Sequence, residues 1–157
     1  MIDFEWGPAV GAGLVGGGVM AGLLYAGIGM MPDKMRMNLL LMLGTMTGLS
    51  GPAAYTAGLM MHLMASAAFG AIHAAIFAAA DITDGELWWG ALFGLGHAVI
   101  SGSMLAGVPM MHPEMKAGRM EAPGPMALAL GAPTAMGFVA LHIAFGALVG
   151  VLYAAWI

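Results

Sequence analysis

The chain has 157 residues, 61% of them hydrophobic and 8% charged, with a mean hydropathy of +0.92. Charged residues fill about a quarter of an ordinary soluble domain, so this composition excludes one and places the chain in a lipid bilayer. Its net charge of −4 comes from four basic and eight acidic residues, which excludes a phosphate-neutralising basic patch and a nucleic-acid partner; without cysteine there are no disulfides or thiolate metal sites.

A hydrocarbon core takes about 20 helical residues. Stretches 7–31, 51–79, 87–111 and 131–157 reach that length, and no period-two alternation suggests a β-barrel. The expected fold is therefore all-α and integral to the membrane, with one domain of four transmembrane helices. The first stretch follows Asp3 and Glu5 rather than a basic region, and no cleavage site follows it, so no signal peptide is expected. It carries Gly18-xxx-Gly22-xxx-Ala26 and runs into Met30-Met31-Pro32 and the basic residues Lys34 and Arg36. Residues 38–50 are apolar but short, and should extend the second helix or lie along the interface.

The second stretch opens at Gly51 and reaches His62 eleven residues later, about 16 Å along a helix axis and close to mid-membrane. Ser66, Gly70 and Ala74 continue from His62 at helical spacing. His73 lies on nearly the same face as His62, nearer the outer surface. Asp81, Asp84 and Glu86 then precede the third stretch. A solvated loop with Asp84 as helix N-cap accounts for them, and a hard-cation site is the alternative. Within the third stretch His97 shares a face with Gly90, Gly94 and Ser101. Beyond it come Met110-Met111-His112-Pro113-Glu114-Met115 and the basic Lys116 and Arg119. Residues 119–130 contain Pro123 and Pro125, which predict a loop or broken turn. The last stretch opens at Gly131 and carries His142, then Gly146-xxx-Gly150-xxx-Ala154. Such small-residue spacings let helix backbones approach closely in lipid, within one bundle or across a dimer.

Sliding the chain by 80 residues aligns the two halves without a gap, with 17 identities in 77 positions. Gly22, Met30, Met31, Met35, Gly51, His62 and Gly70 fall on Gly102, Met110, Met111, Met115, Gly131, His142 and Gly150. The chain therefore reads as a tandem duplication, repeat 1 over 1–80 and repeat 2 over 81–157. All four basic residues follow the first and third stretches, whereas five acidic residues lie at the opposite ends. The positive-inside rule puts the basic loops in the cytoplasm and both termini outside. Each repeat holds two spans, so the halves should be parallel and related by a pseudo-twofold axis along the membrane normal.

His62, His97 and His142 all fall near mid-membrane and are expected to converge. Intramembrane ionisable groups point to function, and neutral imidazole ligates copper or haem iron, so the three form a candidate haem b or copper site. Neutral histidines hydrogen-bonding across helix contacts fit the same placement. So does a proton or cation relay, with His73 and His112 as its outer and inner stations. Tyr153 is the repeat partner of His73, which suggests an interfacial hydrogen-bonding role for both. Met110, Met111, His112 and Met115 form a second copper candidate, because thioethers suit Cu(I). Methionine is equally an adaptable apolar filler, and no dense Met-x-x-Met ladder is present.

The order Gly29-Met30-Met31-Pro32, then His62, then Met110-Met111-His112-Pro113, then His142-x-x-Phe145-Gly146-x-x-x-Gly150-x-x-Tyr153 resembles the DUF6789-type, YagU-like family of small bacterial four-helix membrane proteins. The resemblance spans nearly the whole chain and implies the topology above and the bacterial inner membrane. The family has no established activity, so the resemblance supplies no catalytic residues. The residues themselves offer no nucleophile elbow, no phosphate-cradling loop and no buried carboxylate pair. The reading is a non-enzymatic membrane protein, a structural or accessory subunit of a larger membrane complex. The alternative is a small transporter of protons, cations or metals that uses the same histidines.

Overall fold

The computed structural model describes residues 3–157, and among them every regular element is helical. Helix α1 spans Trp6–Met30, α2 Leu39–Thr45, α3 Gly51–Ala79, α4 Glu86–Met104, α5 Pro113–Lys116 and α6 Ala132–Trp156. A 3-10 segment, Leu105–Met110, prolongs α4, and another, Pro125–Leu130, precedes α6. Four helices are long and apolar enough to cross a membrane: Trp6–Met30, Gly51–Ala79, Glu86–Met110 and Ala132–Trp156. These bounds lie within a residue or so of the four stretches read from hydropathy.

The breaks between helices have local causes. Helix α1 stops two residues before Pro32, since proline disfavours helical geometry in the residue preceding it. Residues 38–50 form a separate short helix capped by Asn38, whose side chain accepts from the Leu41 amide. Gly48, at φ +80°, turns the chain out of it. Helix α4 opens one residue later than an Asp84 cap would place it: Gly85 takes a φ of +72°, and its carbonyl accepts from Trp89 at 3.0 Å. In the broken segment before α6, Met126 and Ala127 adopt positive φ, at 51° and 58°.

The helices contribute to two compact units. The first comprises the described part of Met1–Leu23 with Leu63–His97 and Ala140–Ile157. Its core is Ala9, Ala12, Met20, Ala74, Phe77, Phe145, Val149 and Tyr153. Small residues permit close crossings here. A side chain on Gly13 would strike the Ser66 carbonyl, and one on Gly90 the carbonyl of Gly146, so α1 meets α3 and α4 meets α6 at backbone distance. The buried Tyr153 hydroxyl accepts from the Glu5 amide at 3.1 Å and donates to the Asp3 carbonyl at 3.4 Å, tying the α1 entry to α6.

The second unit comprises Leu24–His62 and Ala98–Val139. Its core is rich in methionine: Met37 and Met42 pack with Ala98, Leu105, Ala127, Leu130 and Phe138. The Met35 side chain lies over Gly27 and Gly137. Buried Thr134 holds the basic loop, donating to the Lys34 carbonyl at 2.8 Å and accepting from the Arg36 amide at 3.1 Å.

Candidate functional site

Three helices of the first unit each carry a histidine with a phenylalanine one turn away: Phe69 and His73 on α3, Phe93 and His97 on α4, His142 and Phe145 on α6. This spacing puts each pair on one helix face, and the three faces meet. His97 and His142 stand edge to face, with ring centroids 4.7 Å apart at 86°. His73 meets His97 edge to face at 5.8 Å and 85°. Phe69 stacks on His97 at 3.7 Å and 20°. Phe145 contacts both His73 and His97, at 5.7 and 5.6 Å, and Phe93 approaches His73 at 6.2 Å. Aromatic pairs of these geometries contribute roughly 0.5–1.5 kcal/mol each beyond simple burial.

Glycine sets this geometry. A side chain on Gly94 would strike the His142 carbonyl, so α4 and α6 remain at backbone contact at the level of the paired rings. His73 and His142 are buried, and His97 is partly so. The Nδ1 atom of His73 is buried and has no hydrogen-bond partner among the described residues. Beyond His73, Phe77 packs edge to face on Phe93 at 5.3 Å. Phe77 also forms part of a cleft of about 220 Å³ lined by Thr83, Glu86 and Tyr153.

Of the expected trio, His97 and His142 come together, and His73 joins them; His62 is buried on α3 and belongs to the second unit. The contact between His97 and His142, with Phe69 covering His97, leaves no space for a porphyrin between the two rings. No group of three or more His, Cys, Asp or Glu among the described residues is disposed to hold a metal ion. The Phe-and-His pairing on each of the three helices is the sequence signal that would have selected His73.

The second copper candidate is also placed. His112 is fully buried. Its Nε2–H donates to the Met42 carbonyl at 2.8 Å and lies 3.2 Å from the Thr45 hydroxyl. Its Nδ1 accepts from the Met115 amide and caps α5. Met110 and Met111 are exposed, and Met115 packs on the second core. A copper ion on His112 would have to displace these hydrogen bonds. Two exposed ion pairs lie in the same loops, Arg36–Glu121 and Arg119–Glu114, the latter bidentate at 2.7 Å.

No family model, curated protein or solved structure matches the chain.

Proposed function

We propose that this protein is a non-enzymatic accessory subunit of a larger complex in the bacterial inner membrane, with both termini outside. It is read as two parallel copies of a two-helix unit. The observation that carries the subunit reading is the apolar surface its helices leave outward: only 22–39% of the most apolar window of each span is buried within the chain. Gly18 and Gly22 have nothing within 4 Å where a side chain would stand. Lipid or neighbouring helices must cover this surface. The duplication is supported by the two close crossings, which use Ser66, Ala67 and Gly70 in one half and Gly146, Ala147 and Gly150 in the other. The resemblance to the DUF6789-type family rests on the residue order quoted above.

Blue-native electrophoresis after mild detergent extraction tests the reading; co-migrating membrane proteins are expected, and a bare monomer or homodimer overturns it. Because the chain has no cysteine, single-cysteine variants at Asp3 and Ala117 report topology cleanly. They should label from opposite sides of the membrane, and labelling from one side overturns the orientation.

A second reading, a proton or cation relay, is favoured by one observation. The buried Nδ1 of His73 has no hydrogen-bond partner among the described residues. With His97 and His142 beside it, the cluster offers a row of imidazole nitrogens for a proton or cation. The cleft at Glu86 and Phe77 is its candidate mouth. Dye-loaded proteoliposomes test it, since flux at the protein-free background excludes the relay.

A further inference from the structure

We propose that the cleft between residues 36–42 and 115–130 is a binding site for an anionic phospholipid. Its phosphate would sit on Arg36 and Arg119 and its acyl chain on the methionine floor. The cleft measures about 190 Å³ and is lined by Arg36 and Arg119 beside Glu121, with Met42, Met115 and Leu130 among its apolar residues. A free phosphate would leave that floor bare, and a neutral lipid would leave the guanidinium N–H groups not used by Glu121 and Glu114 without an anionic acceptor. A phosphate ester carrying hydrocarbon satisfies both. Methionine suits a floor for flexible chains because its unbranched thioether adapts to irregular shapes.

The arginines retain capacity for such a ligand. A guanidinium carries five N–H donors. Arg36 reaches Glu121 through Nη2 alone, and Arg119 reaches Glu114 through Nε and Nη2. Both pairs are open to solvent, with side-chain exposures of 45% for Arg36 and 63% for Arg119. Exposed ion pairs of this kind are weak and exchangeable, so a phosphate can compete with the carboxylates. Residues 33–36 and 114–121 hold all four basic residues beside Asp33, Glu114 and Glu121, whereas the charged residues of 3–5 and 81–86 are all acidic. Cations beside a membrane span concentrate anionic lipid. The proposal rests on the membrane-spanning reading and not on the accessory-subunit one.

The test is native mass spectrometry and thermal unfolding of the detergent-purified protein, titrated with phosphatidylglycerol, phosphatidylcholine or inorganic phosphate. Phosphatidylglycerol should bind one-to-one and raise the unfolding temperature, and phosphatidylcholine should bind at least tenfold more weakly. The double variant Arg36→Gln, Arg119→Gln should lose at least tenfold in phosphatidylglycerol affinity. Glu114→Gln with Glu121→Gln should bind it more tightly, because the competing carboxylates are gone. Should the arginine variant fail to fold, the glutamate variant decides, and no tightening overturns the proposal. Equal binding of both lipids overturns it, as does stabilisation by inorganic phosphate that matches the lipid. Loss of the protein from vesicles on alkaline carbonate washing would instead overturn the membrane-spanning reading.

Discussion

The His142 carbonyl lies where a side chain on Gly94 would stand, and one turn later on α4 the ring of His97 meets the ring of His142. The two facts are linked. Only a helix without a side chain at 94 can approach α6 closely enough for the imidazoles to meet edge to face. The polar cluster thus depends on a glycine that carries no chemistry of its own.

Gly94→Ala should therefore destabilise the protein, although alanine favours an isolated helix. Overpacking a close contact costs about 1–3 kcal/mol, which exceeds the helix-propensity gain of about 1 kcal/mol. Gly18→Ala, made where there is open space on the same type of helix, should be neutral or slightly stabilising. Thermal unfolding in detergent, followed by circular dichroism, checks both. Equal effects of the two substitutions would dissociate Gly94 from the helix contact.

His73→Phe should keep the fold and stabilise it or leave it unchanged, because it removes a buried polar atom without a partner from a site already lined by Phe93 and Phe145. His73→Ala leaves a cavity instead and should cost roughly 2–4 kcal/mol. If wild-type proteoliposomes conduct protons, His73→Phe should reduce the flux to background with the fold intact. Undiminished flux would remove His73 from the path.

His112→Ala removes the cap of α5 and the bond to the Met42 carbonyl. Losing a cap costs about 0.5–2 kcal/mol, and the Met42 carbonyl, left with only the longer bond from the Thr45 hydroxyl at 3.3 Å, adds about 0.5–1.5 kcal/mol. His112→Asn can restore the cap but is too short to reach Met42, so its stability should fall between the two. Amide exchange at Met115 separates the contributions, being slowed again in the asparagine variant.

Glu114 should titrate below the ordinary glutamate value of 4.5, because Arg119 hydrogen-bonds its charged form. A depressed folded value means the interaction favours the native state above the unfolded glutamate value and is lost as pH falls through the lower, folded one. Arg119→Gln should bring the Glu114 titration back toward 4.5, as read by carboxyl NMR shifts. High salt should do the same in part, since the pair is exposed. A titration unmoved by Arg119→Gln would refute the assignment.

The extent of the four long helices was legible in the sequence because length, hydropathy and proline placement are local properties. The break in residues 119–130 could be read from Pro123 and Pro125, although the positive φ of Met126 and Ala127 could not. The separation of residues 38–50 from the second long helix was left open by hydropathy, and Asn38 and Gly48 decide it. The histidine cluster was only half legible. His62 and His73 are eleven residues apart and share a helix face, so periodicity alone does not single out His73. Tertiary structure brings His73 to His97 and His142, at a level where Gly94 lies against the His142 backbone. A sequence states which face a residue occupies. The depth at which two faces meet is a property of the crossing, and only packed helices possess one.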